Sequence, residues 1–415
     1  MMGWQTGLYR LVARGLPLVA PAILRRRILR GKEDPARWRE KLGEATQPRP
    51  AGRLVWLHAV GLGEVLALRG LIAAMAAQEE DLGFLVTSSA RSSAQVMAAN
   101  LPPRTIHQFL PLDAPRYLRR FLTHWRPDLS IWAEQDLWPN AVIEADRAGI
   151  PLALVNARMN AASFVRRSRA RGLYADLLRR FRLVAAQDAG TAQHLGALGA
   201  ASLRVTGSLK AAAPPLAADA AALAALRQAT GGRNLWLLAS SHPEDEAVAL
   251  AAHRDRLAAD PGALLVIVPR DPPRAETILG AARAMGLTAA RKSDAPLPAR
   301  ATQVHVVDAF GELGLWYRLA PVALIGGTFG PVEGHNPWEP AALGCAILHG
   351  PHTANFNADF AVLDGAGAAL PVTADTLPAV LAKSHAEMAG RARALSDAAQ
   401  GSLAPLAADL RGLLG

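Results

Sequence analysis

The chain has 415 residues, and 51% of them are hydrophobic, so it is long enough for two folded domains with buried cores. Its 45 Lys and Arg against 35 Asp and Glu give a net charge of +10, which predicts attraction to an anionic partner. Only 5% of the residues are aromatic, and we find no zinc-finger spacing, RNA-binding aromatic strand or lysine-rich tail, so nucleic acid is a disfavoured partner.

The first predicted element is a basic and apolar segment, residues 1–35. Its apolar stretch 16–24 is far shorter than the roughly 18 residues that a bilayer span requires, and Pro17 and Pro21 interrupt it. Basic residues on both sides argue against a signal peptide. We predict an amphipathic anchor in the membrane plane; the alternative is an ordinary helix packed on its own domain. The arginines expected on lipid phosphates are Arg10, Arg14, Arg25, Arg26 and Arg27.

Short apolar runs then alternate with helix-like segments, which predicts mostly parallel sheets covered on both faces. The predicted strands are 54–57, 84–86, 129–132, 152–155, 183–185, 235–238, 264–268, 304–307, 322–325 and 346–348. Pro214 and Pro215 interrupt this pattern. We therefore predict two Rossmann-like domains, residues 36–211 and 212–395. The single cysteine, Cys345, excludes disulfides within the chain, favours a reducing compartment and is expected to be buried.

Ligands of such sheets lie beyond the carboxyl ends of the strands, so the loops there are candidate sites. After the first strand, Gly61 and Gly63 precede Glu64. The third glycine of a dinucleotide fingerprint is missing, which disfavours a dinucleotide site. Glu64 is a candidate general base for an acceptor hydroxyl; the alternative is a carboxylate that only stabilises a helix N-terminus.

Two further loops follow strands of the first half. Glu134 and Asp136 lie between Trp132 and Trp138, a combination that suits sugar recognition. Arg158 is a candidate for holding an anionic group, with a solvated surface arginine as the alternative. In the second half, Ser241 and His242, Pro269 and Arg270, and Phe310, Gly311 and Glu312 each follow a predicted strand, where a nucleotide would lie. Arg270 suits a phosphate.

The run Gly334-His335-Asn336-Pro337-Trp338-Glu339-Pro340 follows the strand 322–325 and the pair Gly326 and Gly327. It predicts a glycine turn and a helix start. Asn336 and Glu339 have the spacing of a capping box. A carboxylate at Glu339 would repel a phosphate but would accept hydrogen bonds from ribose hydroxyls. The alternative is that the two side chains only cap each other. No cluster of histidines and acids has metal-ligand spacing, so no metal or cofactor is predicted.

These motifs, taken together, resemble the 3-deoxy-D-manno-octulosonic acid (Kdo) transferases of lipopolysaccharide synthesis, which move Kdo from CMP-Kdo to a lipid A precursor. The likeness covers nearly the whole chain. The matching segments are 37–43, 58–64, 134–140, 156–158, 206–210, 308–313, 334–342 and 350–356. The sequence departs from the family at Gly61, where serine is common, at 135–136, where Thr-Glu is usual, and at 241–243, which only approximates a Ser/Thr-His loop.

The resemblance implies an α/β fold of the GT-B type, with two Rossmann-like domains whose parallel sheets face each other across an interdomain cleft. Residues 396–415 are expected to return to the first domain. The acceptor lipid would bind the first domain and CMP-Kdo the second, with Glu64 as base of an inverting transfer and Lys210 and Arg270 meeting the departing phosphate. The expected location is the cytoplasmic face of the inner membrane, either peripheral or anchored at the N-terminus.

Two sets of candidate residues result from these arguments. The donor-side candidates are Ser241, His242, Pro269, Arg270, Phe310, Gly311, Glu312, Gly326, Gly327, Asn336, Glu339 and Lys210. The acceptor-side candidates are Gly61, Gly63, Glu134 and Arg158. The alternative functions are another GT-B enzyme with a UDP-sugar, such as a lipid A disaccharide synthase or an epimerase, or a non-catalytic membrane-surface protein that retains the fold. The loops around Glu64 and Glu134 argue against the first, and Glu64 together with Asn336 and Glu339 argues against the second.

Overall fold

A computed structural model describes residues 3–60, 62–79, 81–89, 101–134 and 137–414, with the backbone alone described for 62–66. By its internal contacts the chain divides into two compact units. The first comprises Met1–Ala213 with Ala399–Gly415, and the second is Pro214–Ala398. The last residues of the chain therefore belong to the first unit.

The first unit contains a seven-stranded sheet in which all neighbouring strands are parallel. Its strands are β1 (Leu54–His58), β2 (Gly83–Ser88), β3 (Thr105–Phe109), β4 (Leu129–Ala133), β5 (Leu152–Ala157), β6 (Phe181–Ala186) and β7 (Leu203–Val205). The spatial order is β3-β2-β1-β4-β5-β6-β7. The chain direction across the sheet reverses between β1 and β4, and the carboxyl ends of these strands flank the point where α/β sheets bind ligands.

Helices cover both faces of this sheet, which explains why β1, β2, β4 and β5 are buried throughout. The helices of this unit are α1 (Trp4–Ala13), α2 (Leu16–Leu29), α3 (Leu62–Gln78), α4 (Pro115–Trp125), α5 (Pro139–Arg147), α6 (Ala161–Ser168), α7 (Arg171–Leu178), α8 (Ala189–Ala197) and α17 (Leu403–Arg411), with a 3-10 turn at Trp38–Leu42. On one face, Leu406 and Leu410 of α17 pack with Leu68 and Leu71 of α3 in one buried core.

The second unit repeats this architecture. Its strands are β8 (Leu235–Ser241), β9 (Leu264–Pro269), β10 (Ala289–Arg291), β11 (Val304–Val306), β12 (Val322–Ile325), β13 (Ala346–His349) and β14 (Ala369–Pro371). They are all parallel, in the order β10-β11-β9-β8-β12-β13-β14, so the direction reverses between β8 and β12. The predicted fold class, α/β with two parallel Rossmann-like sheets, is confirmed, and so is each predicted strand.

The helices of the second unit connect these strands and cover the sheet. They are α9 (Ala220–Thr230), α10 (Pro243–Ala259), α11 (Ala275–Ala284), α12 (Leu313–Leu319), α13 (Trp338–Ala341), α14 (Asn357–Gly365), α15 (Leu377–Leu381) and α16 (Ala386–Gly401), with 3-10 turns at Pro272–Arg274 and Ala354–Phe356. Cys345 lies fully buried directly before β13, as its apolar surroundings in the sequence predict.

The helix α1 buries its polar side and exposes its apolar side. Thr6 is 0% exposed and donates a hydrogen bond to Asp176 at 2.7 Å, while Arg10 is 4% exposed and forms an ion pair with Glu144. The exposed apolar residues are Trp4 (76%), Leu8 (54%), Leu11 (63%) and Val12 (71%), whose spacing places them on one helix face. We call these four residues the N-terminal apolar face.

The prediction that Arg10 meets lipid phosphates is wrong, because its guanidinium is buried against Glu144. Arg27 donates to Glu33 at 2.6 Å but remains half exposed, and Arg14, Arg25 and Arg26 are exposed. Within the described ranges no single helix is long and apolar enough to cross a membrane, whereas α1 and α2 meet that test together as a pair bent by 55°.

Candidate functional site

The acceptor-side candidates of the first unit follow β1, β4 and β5, and the first two of these strands flank its reversal point. Gly61 lies outside the described residues. Gly63 and Glu64 belong to the first turn of α3, which follows β1, and the side chain of Glu64 is also outside what is described. The role of Glu64 as a base therefore stays a prediction.

Glu134 directly follows β4 and belongs to a polar cluster at the ends of neighbouring strands. Its carboxylate accepts a hydrogen bond from Asn156 Nδ2 at 3.3 Å and pairs with Lys210 Nζ at 3.1 Å. Asn156 Oδ1 in turn accepts from Gln187 Nε2 and from the backbone amide of Leu209, both at 2.9 Å. The structure thus groups Lys210 with Glu134 inside the first unit, among the acceptor-side candidates, although the sequence analysis assigned it to the donor side.

Three residues at the candidate sites have left-handed backbone that non-glycine residues rarely adopt. Glu134 has φ 62°, Asn156 has φ 54° and Ser240 has φ 56°. Each such conformation costs about 1–3 kcal/mol and persists only where the surroundings enforce it. The hydrogen bond from the Glu134 amide to Val155 O at 3.0 Å is part of that enforcement. Both units therefore hold strained backbone at the strand ends where ligands are expected.

Arg158 follows β5 and lines a pocket of the first unit together with Glu134. It is partly buried and has no hydrogen-bond or ion-pair partner among the described residues. Most other lining residues are apolar: Leu137, Leu154, Ala157, Met159, Leu178 and Leu195, with Arg167 and Tyr174. The pocket has room for about one water molecule, so it marks a gap beside Glu134 and does not by itself indicate a ligand.

The prediction that Trp132 takes part in sugar recognition is wrong. Its side chain is 1% exposed and packs edge-on against Trp56 and His58, with ring centroids 5.4 and 4.9 Å away. Its indole N–H donates to Ser130 Oγ at 3.0 Å. His58 is equally buried, its Nε2 has no partner within the described part of the chain, and burial lowers its pKa to about 4. Both rings therefore belong to the core below the loop.

In the second unit, Asp245 ties the two strands at the reversal point together. It lies in the first turn of α10, is fully buried and accepts three backbone hydrogen bonds. The donors are the amides of Gly327 at 2.6 Å, Phe329 at 3.0 Å and His242 at 3.0 Å. Burial raises the pKa of Asp245, and these bonds oppose that shift. Asp245 was not among the predicted site residues, although the spacing of His242 and Asp245 is that of a capping pair.

The glycine pair after β12 is required by close backbone contacts. A Cβ at Gly326 would lie 2.2 Å from Ser240 O, and Gly327 has φ 72°. The amide of Gly326 donates to Ala239 O at 2.8 Å, which fastens this turn to β8. Arg270, the residue after β9, donates its backbone amide to Ser241 O at 3.1 Å. The structure therefore brings the predicted segments 241–242, 269–270 and 326–327 together at the carboxyl ends of three neighbouring strands.

Two histidines meet across the reversal point. His242 precedes α10, His335 lies in the loop after β12, and their Nε2 atoms are 2.9 Å apart. The ring planes are nearly parallel, 9° apart, and the centroids are 5.2 Å apart, so the rings meet end to end through their Nε2 atoms. Burial, with His242 and Arg270 nearby, lowers the pKa of His335 to about 4. The sequence analysis proposed His242 alone.

Asn336 and Glu339 contact each other, but without the geometry of a capping box. Asn336 Oδ1 accepts from the amide of Trp338 at 3.1 Å, and Asn336 Nδ2 lies 3.4 Å from Glu339 Oε1. The helix α13 has only four residues. Burial raises the pKa of Glu339 to about 7, although Asn336 and Arg270 oppose the shift. A carboxylate that is costly to ionise at this sheet edge suits a ligand that donates hydrogen bonds to it.

The remaining donor-side candidates follow β11. Phe310 is 75% exposed, Gly311 has φ 83°, and Glu312 accepts a bond from Lys292 Nζ at 2.7 Å. Because β11 neighbours β9, these residues and Arg270 lie at the same end of the sheet. Among the described residues no hydrogen bond joins them to Arg270.

Comparison with known proteins identifies the family. The family model of 3-deoxy-D-manno-octulosonic-acid transferase (kdotransferase) matches residues 36–213. A probable mitochondrial 3-deoxy-D-manno-octulosonic acid transferase from Arabidopsis thaliana is 36% identical over 84% of this chain and 80% of its own length. The 3-deoxy-D-manno-octulosonic acid transferase of Haemophilus influenzae is 31% identical over 81% of this chain and 79% of its own length.

Solved structures share the fold at low identity. A UDP-GlcNAc 2-epimerase from Neisseria meningitidis is 12% identical, with a TM-score of 0.57, and covers 87% of this chain and 99% of its own. The MurG protein of Acinetobacter baumannii is 16% identical, with a TM-score of 0.53, over 87% of this chain and 100% of its own. These likenesses concern the GT-B fold alone. The identities of 31–36% over most of the chain place the protein in the Kdo transferase family of glycosyltransferases.

Proposed function

We propose that the protein transfers Kdo from CMP-Kdo to a lipid A precursor, with Glu64 as the general base. The proposal that CMP-Kdo is the donor rests on the cluster of Ser241, His242, Arg270 and Gly327 at the reversal point of the second sheet. The exposed side chain of Arg270 and two imidazoles, all at the carboxyl ends of neighbouring strands, suit a nucleotide phosphate. The half-buried Glu339 nearby suits the hydroxyls of its ribose.

In the proposed reaction, Glu64 removes the proton of an acceptor hydroxyl as its oxygen attacks the anomeric carbon of Kdo. The bond between that carbon and the phosphate oxygen breaks, and its electron pair remains on the phosphate of CMP. The side chain of Arg270 would meet the added negative charge. We assign Lys210 to holding Glu134, in line with their 3.1 Å ion pair. The proposal requires no metal or cofactor.

We further propose that the N-terminal apolar face lies in an anionic membrane surface. In water a surface helix normally buries its apolar side and exposes its polar side, and α1 does the reverse. The exposed Arg14, Arg25 and Arg26 suit lipid phosphates. The lipid acceptor would then reach Arg158 and Glu134, at the strand ends of the first unit, from the same membrane. This proposal covers a peripheral location at the cytoplasmic face of the inner membrane.

The catalytic proposal is tested with purified protein, CMP-Kdo and a tetra-acylated lipid A precursor, with products identified by mass. Wild type should add Kdo with or without a chelator. Glu64→Gln should lower the rate by roughly 10² to 10⁴ and leave CMP binding nearly intact. Glu79→Gln, a carboxylate just beyond α3, serves as the control and should retain activity. Absence of transfer by wild type, or near-normal turnover of Glu64→Gln, would contradict the proposal.

The same assay separates the alternative donors. CMP should bind more tightly than UMP, whereas an enzyme that uses UDP-sugars should show the opposite order. A protein that binds anionic vesicles but neither nucleotide would instead be the non-catalytic surface protein.

The membrane proposal is tested by sedimentation with anionic vesicles across a salt series. Binding should weaken with salt because screening reduces the share of the arginines, at about 1 kcal/mol each. Leu8→Asp with Leu11→Asp should abolish binding, and Leu297→Asp, an exposed apolar residue of the second unit (44%), should not. Retention of wild type at high salt and alkaline carbonate would indicate a spanning segment instead.

A further inference from the structure

The contact between His242 and His335 limits how many protons the two imidazole rings can hold. A hydrogen bond between two imidazole Nε2 atoms 2.9 Å apart requires a proton on one and a lone pair on the other. If both rings were cationic, two N–H groups would point at each other at this distance. A pair in this geometry therefore has at least one neutral ring.

The surroundings of the pair hold it in that state. Arg270 lies close enough to oppose a positive charge on His335, and the same arginine favours the ionised form of Glu339. On the other side, Asp245 in α10 faces His242 but is already occupied by three backbone donors. With one cation beside the pair and the Asp245 carboxylate already satisfied, an additional proton requires another anion.

An incoming nucleotide phosphate would be such an anion. We propose that His242 and His335 form a proton-sharing pair that takes up a further proton when the phosphate of the donor nucleotide binds, and that the pair then donates both Nε2–H groups to it. This inference rests on the proposed function, because it requires a nucleotide at this sheet edge. As Kdo leaves, the phosphate gains one negative charge, and the protonated pair would stabilise it without transferring a proton.

The resulting linkage has a definite sign. If binding takes up a proton, CMP affinity falls as pH rises, by up to about tenfold per pH unit for one full proton. Glu339 acts in the opposite direction near neutral pH, because a ribose that binds its ionised form would release a proton. At about pH 8 Glu339 is largely ionised in the free protein, since its pKa is about 7, and the pair then dominates.

The test is calorimetry of CMP binding to the full chain at about pH 8, in buffers of different ionisation enthalpy, since the buffer dependence counts the protons taken up. Wild type should take up protons. His335→Asn and His242→Asn should each take up fewer and bind CMP with less dependence on pH. His124→Gln, a half-buried histidine of the first unit that lies outside the candidate sites, should behave like wild type. Equal proton uptake by wild type and His335→Asn would overturn the inference.

A second measurement needs no variant. The imidazole Cε1–H resonances of wild type, titrated with and without CMP, should show two histidines whose pKa values rise when CMP binds. If CMP binds and Kdo is transferred while no histidine pKa rises, this inference is wrong and the proposed function stands. If CMP does not bind at all, the proposed function fails, and the inference fails with it.

Discussion

Removal of the Asp245 carboxylate tests whether this buried group holds the nucleotide-side loops together. In Asp245→Ala the amides of Gly327, Phe329 and His242 lose their acceptor. Gly327 is buried, so its amide would remain unpaired, at a cost of about 1–3 kcal/mol. The other two amides are partly buried and can bind water, which limits their share.

We therefore expect Asp245→Ala to lower the free energy of unfolding by about 2–4 kcal/mol. Asp245→Asn retains one carbonyl oxygen and has no charge to desolvate. Since burial raises the pKa of Asp245, which means that its charge is held at a cost, the Asn variant should lose less than the Ala variant.

Urea unfolding of the full chain, followed by fluorescence, measures these differences. Asp255→Ala is a matched control, because Asp255 is an exposed aspartate of the same helix, with its side chain 57% exposed, and should change stability by less than about 0.5 kcal/mol. If Asp245→Ala unfolds within about 0.5 kcal/mol of that control, the three hydrogen bonds do not stabilise the fold and our reasoning is refuted.

Three other predictions concern single residues. Glu339→Gln should weaken CMP binding by roughly 10- to 100-fold, because the charge-assisted hydrogen bonds to ribose are lost. A purely capping role of Glu339 predicts unchanged affinity and a loss of about 1 kcal/mol in stability. Calorimetry with CMP and thermal melts distinguish the two roles. Lys210→Met should destabilise the first unit by roughly 1–3 kcal/mol, and a double-mutant cycle with Glu134→Gln should show coupling, unlike an independent pair. Burial lowers the pKa of His58 to about 4, so between pH 4 and the ordinary pKa of 6.5 the unfolded chain binds more protons than the folded protein. The free energy of unfolding should therefore rise with pH across that window, by up to about 1.4 kcal/mol per pH unit. His58→Gln should reduce this slope, and an unchanged slope would contradict the pKa shift.

The strands that the sequence predicts are those with neighbours on both sides. The strands that it did not predict are β3, β7, β10 and β14, and these form the two edges of each sheet. An edge strand has one neighbour and tolerates polar or exposed residues, such as His107 in β3 or Arg204 in β7. A search for short apolar runs therefore detects the centre of a parallel sheet and misses its edges.

The candidate sites show the same division between local and distant information. The loops were predicted because each follows a strand, and the positions of Gly326 and Glu339 could be read from turn and capping spacing. The contact between His242 and His335 joins residues 93 positions apart, and the pair of Lys210 and Glu134 joins two different strand ends. Such contacts depend on strand order, which local patterns do not specify.

The return of α17 to the first unit has a consequence for the order in which the protein folds. Leu406 and Leu410 complete the core that Leu68 and Leu71 begin, yet they are synthesised more than three hundred residues later. The second unit, in contrast, is one continuous stretch, Pro214–Ala398. During translation the second unit can bury its core before α17 has been synthesised. The face of the first sheet that α3 and α17 cover is complete only after α17 has left the ribosome. Completion of the first unit's core thus follows synthesis of the second unit, unlike the usual N-terminal-first order.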